Sequence, residues 1–279
     1  MPPSPNTRRS SQLPPYRAVL AVDTKGFSES PSAHQERLSQ DIPDLLERAL
    51  EQCGLARLWQ TKVFPHSTGD GYYFGVDAMD TPFLVDPFLD ELNEVLDEHD
   101  EVVRARDRAL KLRLRVSIHL GPVPESGLST SMNETHRLLD AEPVRRILTG
   151  SDPDVTYVAA ILSQRVFTDV VEGGYIKKRA SQFAANAVKV KNFEAHAFLY
   201  TPKSSVNRDL LDGVNAWPVD RDRLKQEQDR VHGSERPEAG DEGGRGQSVH
   251  VQNNFSGESS GSVLQIGQAR DVSGLRNGS

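Results

Sequence analysis

The segment "AVLAVDTKGFSES", residues 18–30, is the stretch from which the fold can be argued. Five apolar or small residues lead directly to an acid, Asp23, and the apolar pattern then ends within three residues. A run of Val, Leu and Ala is typical of a buried strand, which we predict over residues 17–23. Buried strands rarely end in a carboxylate without a compensating group. The segment therefore raises the question of what Asp23 faces.

The composition favours one folded domain between two tails. Only 36% of the 279 residues are hydrophobic, and they are concentrated in the middle of the chain. Residues 1–15 are rich in Pro, Ser and Arg and lack the apolar run of a signal peptide. Residues 203–279 are charged and then rich in Gly and Ser, a composition that buries too little surface to offset ordering entropy. We expect a domain over residues 16–202, with a disordered N-terminal tail and a largely disordered C-terminal tail.

Other features of the composition bear on location and partners. No segment approaches the roughly 20 consecutive apolar residues that cross a bilayer, so no membrane insertion is expected. The single cysteine, Cys53, excludes an internal disulfide and favours the reduced cytoplasm. It is expected to be a small core residue, and a reactive thiol is the alternative. The net charge of −7 argues against nonspecific nucleic acid binding, so a polyphosphate would have to be held by a metal or by a few placed cations.

Periodicity predicts an α+β order. We expect helices over residues 33–52, 83–105, 132–148 and 163–171, with Pro43 dividing or kinking the first and Ser163 capping the last. We expect strands over residues 17–23, 58–64, 72–76, 110–121, 155–161, 188–190 and 195–200, the last two as a hairpin. This order is compatible with a ferredoxin-like core, an antiparallel sheet with helices on one face. Near the C-terminus, "SVLQIGQ" would either add a strand to a partner's sheet or belong to the disordered tail.

A second acid is expected near the first. "TGDGYYFGV", residues 68–76, places Asp70 in a tight turn that enters a strand, and a hairpin beside the first strand would bring Asp70 to Asp23. Two adjacent carboxylates repel unless a cation lies between them. Hard oxygen ligands without a His/Cys cluster suit Mg²⁺ or Mn²⁺. Two independent turn acids are the alternative, and the spacing leaves both open.

Several motifs, in order along the chain, carry a family resemblance. "AVDTKGFS" and "TGDGYYFGV" resemble the first-strand and Gly-Asp-Gly hairpin motifs of class III nucleotide cyclases, the adenylate and guanylate cyclase superfamily. "LRLRVSIHLGPV", "NETHRLLD" and "VKVKNFEAHAFLY" resemble the strand, the helix and the closing hairpin that follow in that family. The resemblance implies a class III cyclase catalytic domain across about residues 17–202.

Carried over residue by residue, the resemblance implies a role for each matching group. Asp23, Asp70 and the main-chain carbonyl of Thr24 would hold two divalent ions, Mn²⁺ or Mg²⁺. Asn133 would orient the ribose, and Arg137 would stabilise charge at the α-phosphate. Three further residues are expected to contact the substrate. Phe27 belongs to the first-strand motif, His66 precedes the Gly-Asp-Gly motif, and Lys191 lies in the closing hairpin. The alternatives are a solvated polar helix face for Asn133 and Arg137, and an ordinary exposed strand residue for Lys191.

The resemblance also implies a homodimer. Sites in this family form between two chains, with the metal acids from one and the Asn and Arg from the other. One such domain in the chain therefore implies two equivalent sites in a symmetric dimer.

The base pocket departs from the purine pattern. The family's purine-selecting Lys and Asp are replaced by His66 and Ser126. "RLLDAEPVRRIL", "LSQRVFTDVVEGG" and "KNFEAHAFLY" resemble the latter half of bacterial pyrimidine cyclases of anti-phage signalling. This closer resemblance implies conversion of UTP, or of CTP, to a cyclic mononucleotide that activates a separate effector protein. Base contacts would come from nearby rings, unless these rings pack in the core: Trp59, Phe64, His66 and Tyr72. An adenylate cyclase with an atypical pocket and an inactive sensor or scaffold are the rival hypotheses.

Overall fold

The computed structural model describes residues 12–29, 31–104 and 111–203. The strands are β1 (Tyr16–Thr24), β2 (Val63–Ser67), β3 (Gly71–Asp77), β4 (Leu114–Pro122), β5 (Val158–Ser163), β6 (Ala184–Val190) and β7 (Phe193–Tyr200). The α-helices are α1 (Ser32–Gln52), α2 (Ala56–Gln60), α3 (Thr81–Val85), α4 (Phe88–Arg104), α5 (Thr130–Leu139), α6 (Glu142–Gly150) and α7 (Gln164–Val166). A π-helical segment, Phe167–Glu172, continues α7. The predictions on residues 1–11 and 204–279, including "SVLQIGQ", lie outside the described residues.

The strands form one sheet of seven in the order β2-β3-β1-β4-β5-β7-β6. The first four strands occupy the order of a ferredoxin-like core, and every pair among them is antiparallel. The α+β prediction is therefore confirmed, with one departure from an antiparallel sheet: β4 and β5 run parallel. Such a parallel pair requires a crossover connection, and α5 and α6 supply it.

Both faces of the sheet are covered by helices. Strand residues on one face, such as Leu20, Val116 and Ala160, share a core cluster with apolar residues of α1 and α4. Residues on the other face, such as Ala159 and Ile161, pack against α5 and α6. The helices of the ferredoxin-like core thus lie on one face as predicted, and α5 and α6 cover the opposite face. Asp23 belongs to this second face because side chains alternate along β1.

Several predicted element boundaries are wrong. Residues 58–60 belong to helix α2 rather than a strand, and one turn of helix is enough to bury Leu58 and Trp59. Short apolar runs fit a helix or a strand equally well, which explains the error. The helix predicted over residues 83–105 is split into α3 and α4 before Phe88, and that over residues 132–148 into α5 and α6. A proline stands at each break and cannot continue the preceding helix.

Other local predictions hold. Ser163 caps α7, because its hydroxyl accepts a hydrogen bond from the Val166 amide. The closing hairpin of β6 and β7 is present. Pro43, by contrast, does not divide α1, which continues to Gln52. Apolar residues on both sides of Pro43 are fully buried, and packing of this face holds the helix together.

Cys53 lies at the end of α1 and packs against the core while remaining partly accessible. Burial is the main cause that raises the pKa of its thiol to about 11, so the neutral form dominates at neutral pH. This supports the core role over the reactive thiol. Within the part of the chain that the structure describes, no helix is long and apolar enough to span a membrane.

Candidate active site

The pairing of β1 with β3 brings Asp23 and Asp70 to one place. Asp23 is paired with Gly71, and the Thr24 amide donates to the Asp70 carbonyl oxygen at 2.8 Å. Gly71 is required at this crossing, because an added Cβ would lie 2.1 Å from the Val22 carbonyl oxygen. Both carboxylates line a cavity of about 180 Å³, here called the carboxylate cavity. Its other walls are Thr68, Tyr72, Tyr73, His136, Leu139 and Asp140, with Val22.

The group that faces Asp23 is Arg115, which the sequence reasoning missed. β4 lies beside β1 with Arg115 directly opposite Asp23. The guanidinium donates two parallel hydrogen bonds to the carboxylate, both at 2.6 Å, from Nε to Oδ1 and from Nη2 to Oδ2. Both side chains are nearly buried, with 13% and 11% exposed. This bidentate ion pair makes a carboxylate at the end of a buried strand tolerable.

The charge of Asp23 is nevertheless incompletely compensated. Burial raises the pKa of Asp23 to about 6, and Arg115 opposes this shift without cancelling it. The nearby negative charges of Asp70 and Asp140 raise this pKa further. Asp140 ends α5 and also accepts a hydrogen bond from Arg145 at 2.7 Å. An additional positive charge in the cavity would therefore interact favourably with these carboxylates.

The oxygen ligands available in the carboxylate cavity are those that a hard divalent cation prefers. Asp23 and Asp70 both line one cavity, and Mg²⁺ commonly uses one or two carboxylates together with substrate phosphates. Among the described residues, no group of three or more His, Cys, Asp or Glu side chains could hold a metal ion. A cation here would thus depend on two carboxylates, a main-chain oxygen such as that of Thr24, and a ligand.

Helix α5 carries the predicted pair Asn133 and Arg137. Ser129 caps the helix by accepting a hydrogen bond from the Met132 amide at 3.1 Å. Asn133 is exposed, and the half-buried Arg137 lies with its guanidinium carbon 5.9 Å from the centre of the Phe193 ring. Neither residue lines the carboxylate cavity of its own chain. The structure therefore does not bring this pair together with Asp23 and Asp70 within one chain.

The predicted substrate contacts are dispersed. Lys191 is exposed in the turn between β6 and β7, at the edge of the sheet remote from β2. Phe27 packs against the core cluster under β1. His66 is exposed on β2. Its neighbour Phe64 touches the loop of Ser126, where a Cβ added to Gly127 would lie 3.2 Å from the Phe64 Cβ. The two positions that depart from the purine pattern are therefore on neighbouring segments.

The candidate base-contacting rings divide between core and surface. Trp59 is buried, and its ring centre lies 5.6 Å from that of Phe74 and 5.7 Å from that of Tyr72. Trp59 thus packs in the core. Tyr73 and His136 were missed, although alternation along β3 could have identified Tyr73 as the tyrosine facing away from this core.

Comparison with known proteins gives similarity in structure only. No family model matches the sequence, and no curated protein does. The structure is similar to that of the guanylyl cyclase Cya2, with 12% identity, coverage of 72% of this chain and 97% of that one, and a TM-score of 0.44. It is also similar to the adenylyl cyclase CyaB from P. aeruginosa, with 16% identity, coverage of 70% and 96%, and a TM-score of 0.39.

A third similar structure is an adenylate/guanylate cyclase/hydrolase from Silicibacter pomeroyi. Its identity to this chain is 18%, with coverage of 67% of this chain and 97% of that one and a TM-score of 0.43.

Proposed function

We propose that the protein is a class III nucleotide cyclase that converts UTP to 3′,5′-cyclic UMP and diphosphate, with CTP as the second substrate. The observation that carries the proposal is that Asp23 and Asp70, on separate strands, line one cavity whose charge is incompletely compensated. The motif resemblance set out above supports the same reaction. The cyclic product would act as a second messenger for a separate effector protein in anti-phage defence.

Four residues of the chain would bind the metal ions or position their ligands. Asp23 and Asp70, with the Thr24 carbonyl, would hold two divalent ions, Mn²⁺ or Mg²⁺. Bound ions of this kind lower the pKa of a substrate hydroxyl and neutralise a triphosphate. Arg115 would keep Asp23 ionised and oriented by its two hydrogen bonds. It is a positioning residue in this account.

The remaining groups would act on the substrate directly. Asn133 would orient the ribose for attack of the 3′-oxygen on the α-phosphorus. Arg137 would stabilise the charge that builds on the α-phosphate as diphosphate leaves. Lys191 would bind the terminal phosphates, and Phe27 and His66 would contact the nucleoside.

Two copies of the chain would be needed for one site. Asn133 and Arg137 do not line the carboxylate cavity of their own chain, which supports their supply by a second copy. A symmetric homodimer would then contain two equivalent sites.

One observation favours an inactive sensor or scaffold as the second candidate. Arg115 engages both carboxylate oxygens of Asp23, the groups that would have to bind metal. Each oxygen retains a further lone pair, so the ion pair and a cation are compatible in principle. Formation of a cyclic product therefore distinguishes the cyclase from the inactive sensor or scaffold.

The test is to incubate the full chain with each of the four nucleoside triphosphates and Mn²⁺ and to analyse the products by mass. We expect cyclic UMP, less cyclic CMP and little purine product. Asp70→Ala should abolish the product because it removes half of the proposed metal-binding carboxylates. Asp169→Ala, an exposed acid on the π-helical segment, is the matched control and should retain activity.

Turnover of ATP as fast as that of UTP at equal concentration would replace this proposal with an adenylate cyclase. The absence of any cyclic product would favour the sensor or scaffold. Full activity of Asp70→Ala would refute the assignment of the site.

A further inference from the structure

Three ring side chains form a continuous row on the α5 face of the sheet. The ring centres of His66 and Tyr73 are 5.4 Å apart, and those of Tyr73 and His136 are 5.1 Å apart. His66 is paired with Tyr73 across β2 and β3, so both side chains lie on the same face. His136 reaches Tyr73 edge-on from α5, with an interplanar angle of 84°. We call His66, Tyr73 and His136 the ring wall.

The ring wall leads from the carboxylate cavity to the solvent. Tyr73 and His136 line the cavity beside Asp23 and Asp70, and His66 at the other end is exposed. Tyr73 is only half-buried, so part of its side chain is accessible. A flat ligand bound near the two carboxylates would therefore meet this wall.

The chemistry of the wall suits a nucleobase. Aromatic faces stack on bases of any kind, and stacking contributes about 1–3 kcal/mol per base. The two imidazoles can each donate and accept a hydrogen bond at a base edge. The cavity, at about 180 Å³, is smaller than the roughly 300–1,000 Å³ of pockets that enclose drug-sized ligands. A nucleobase would therefore lie along the ring wall rather than inside the cavity.

We propose that the ring wall binds the pyrimidine base of the nucleotide and that Tyr73 is a specificity-determining residue. This inference rests on the proposed function for the identity of the ligand. It adds Tyr73 and His136, which have no role in the proposal above.

Direct binding tests the ring wall separately from catalysis. The probes are α,β-methylene-UTP and α,β-methylene-ATP with Mg²⁺, which cannot release diphosphate, titrated calorimetrically into the full chain. Tyr73→Leu should weaken binding of the UTP analogue at least tenfold and change the preference between the two analogues at least fivefold. Tyr73→Phe retains the ring and should stay within threefold of the wild type. Tyr175→Leu, at a tyrosine that is 74% exposed elsewhere, is the matched control and should bind like the wild type.

Thermal unfolding of each variant separates recognition from packing. Equal affinity of the wild type and of Tyr73→Leu for the UTP analogue would overturn the ring wall, whatever the catalytic activity of the wild type. If Tyr73→Leu does not fold, the exposed His66→Leu carries the test, with at least a fivefold loss of affinity expected and no change overturning the inference. A wild type that binds in a Tyr73-dependent way but forms no cyclic product would instead overturn the proposed function alone. No binding of either analogue by the wild type would overturn both.

Discussion

The nearly buried Arg115 guanidinium donates two short hydrogen bonds to the nearly buried carboxylate of Asp23. Breaking a buried pair from one side is costly because the other charge is left without compensation. The ordinary pKa of an Asp carboxyl is 3.8, and in the folded protein that of Asp23 is about 6. Asp23 thus binds a proton more readily in the folded state, so its contribution to stability is greatest below about pH 4 and is lost as the pH rises through 6.

We therefore predict a pH-dependent effect of Arg115→Met in the metal-free protein. At pH 7.5 the variant should lower the free energy of unfolding by about 3 kcal/mol, because an ionised Asp23 then lies buried without its partner. At pH 4 the loss should be smaller, since Asp23 is protonated. Urea unfolding in the presence of EDTA measures both values. Arg145→Met, which removes an exposed partner of Asp140, is the control and should cost less than about 1 kcal/mol at either pH. A loss independent of pH would contradict the assignment of the effect to the charge of Asp23.

At the scale of elements, β2 is irregular where it carries Phe64. The pairing register with β3 shifts between Val63 and His66, so two residues of β2 oppose one of β3. Phe64 adopts a left-handed backbone with φ of 42°, which is unusual for a residue with a side chain. The extra residue places its ring directly over Gly75, and Gly127 packs on its Cβ. Phe64 thus links β2 to the loop that precedes α5.

This geometry predicts that Gly75→Ala is destabilising. An added Cβ would lie 2.1 Å from Cζ of Phe64, so the ring must be displaced, and overpacking of this kind costs about 1–3 kcal/mol. Phe64→Leu should relieve the clash, so the double variant should lose less than the sum of the two single variants. Urea unfolding of all four proteins gives the coupling energy. If the losses of unfolding free energy in Gly75→Ala and Phe64→Leu simply add in the double variant, the Phe64 ring and Gly75 do not constrain each other.

The elements also show what the sequence could predict. Alternation across residues 110–121 predicted the strand that the structure shows as β4, and this alternation is sufficient to place Arg115 on the polar face. Its pairing with Asp23 could not be foreseen, because that requires β4 to lie beside β1 in a specific register. Asp70 was expected near Asp23 because a Gly-Asp-Gly turn fixes the hairpin locally. His136 was missed because only the packing of α5 on the sheet brings it to Tyr73.

At the scale of the whole molecule, the separation of Arg137 from the carboxylate cavity predicts complementation between chains. Asp23→Ala and Arg137→Ala should each be inactive alone. After mixing with subunit exchange, about a quarter of the wild-type activity should return, because half of the dimers are mixed and one of their two sites is intact. Cyclic product measured by mass gives the readout, and exchange is verified with differently tagged chains. Mixing Arg137→Ala with an Asp23→Ala, Arg137→Ala double variant is the control and should restore nothing. No recovery in the first mixture would indicate that each site is built within one chain.

The bulge in β2 has a consequence for solubility. β2 is an outer strand, and an outer strand with free amides and carbonyls invites further chains to add to the sheet and form aggregates. Here the outer strand is only five residues long, its register is broken beside Phe64, and Pro65 has no amide hydrogen to offer. A neighbouring chain would find no regular ladder to extend. The irregularity that places Phe64 over Gly75 therefore also guards this edge against uncontrolled polymerisation.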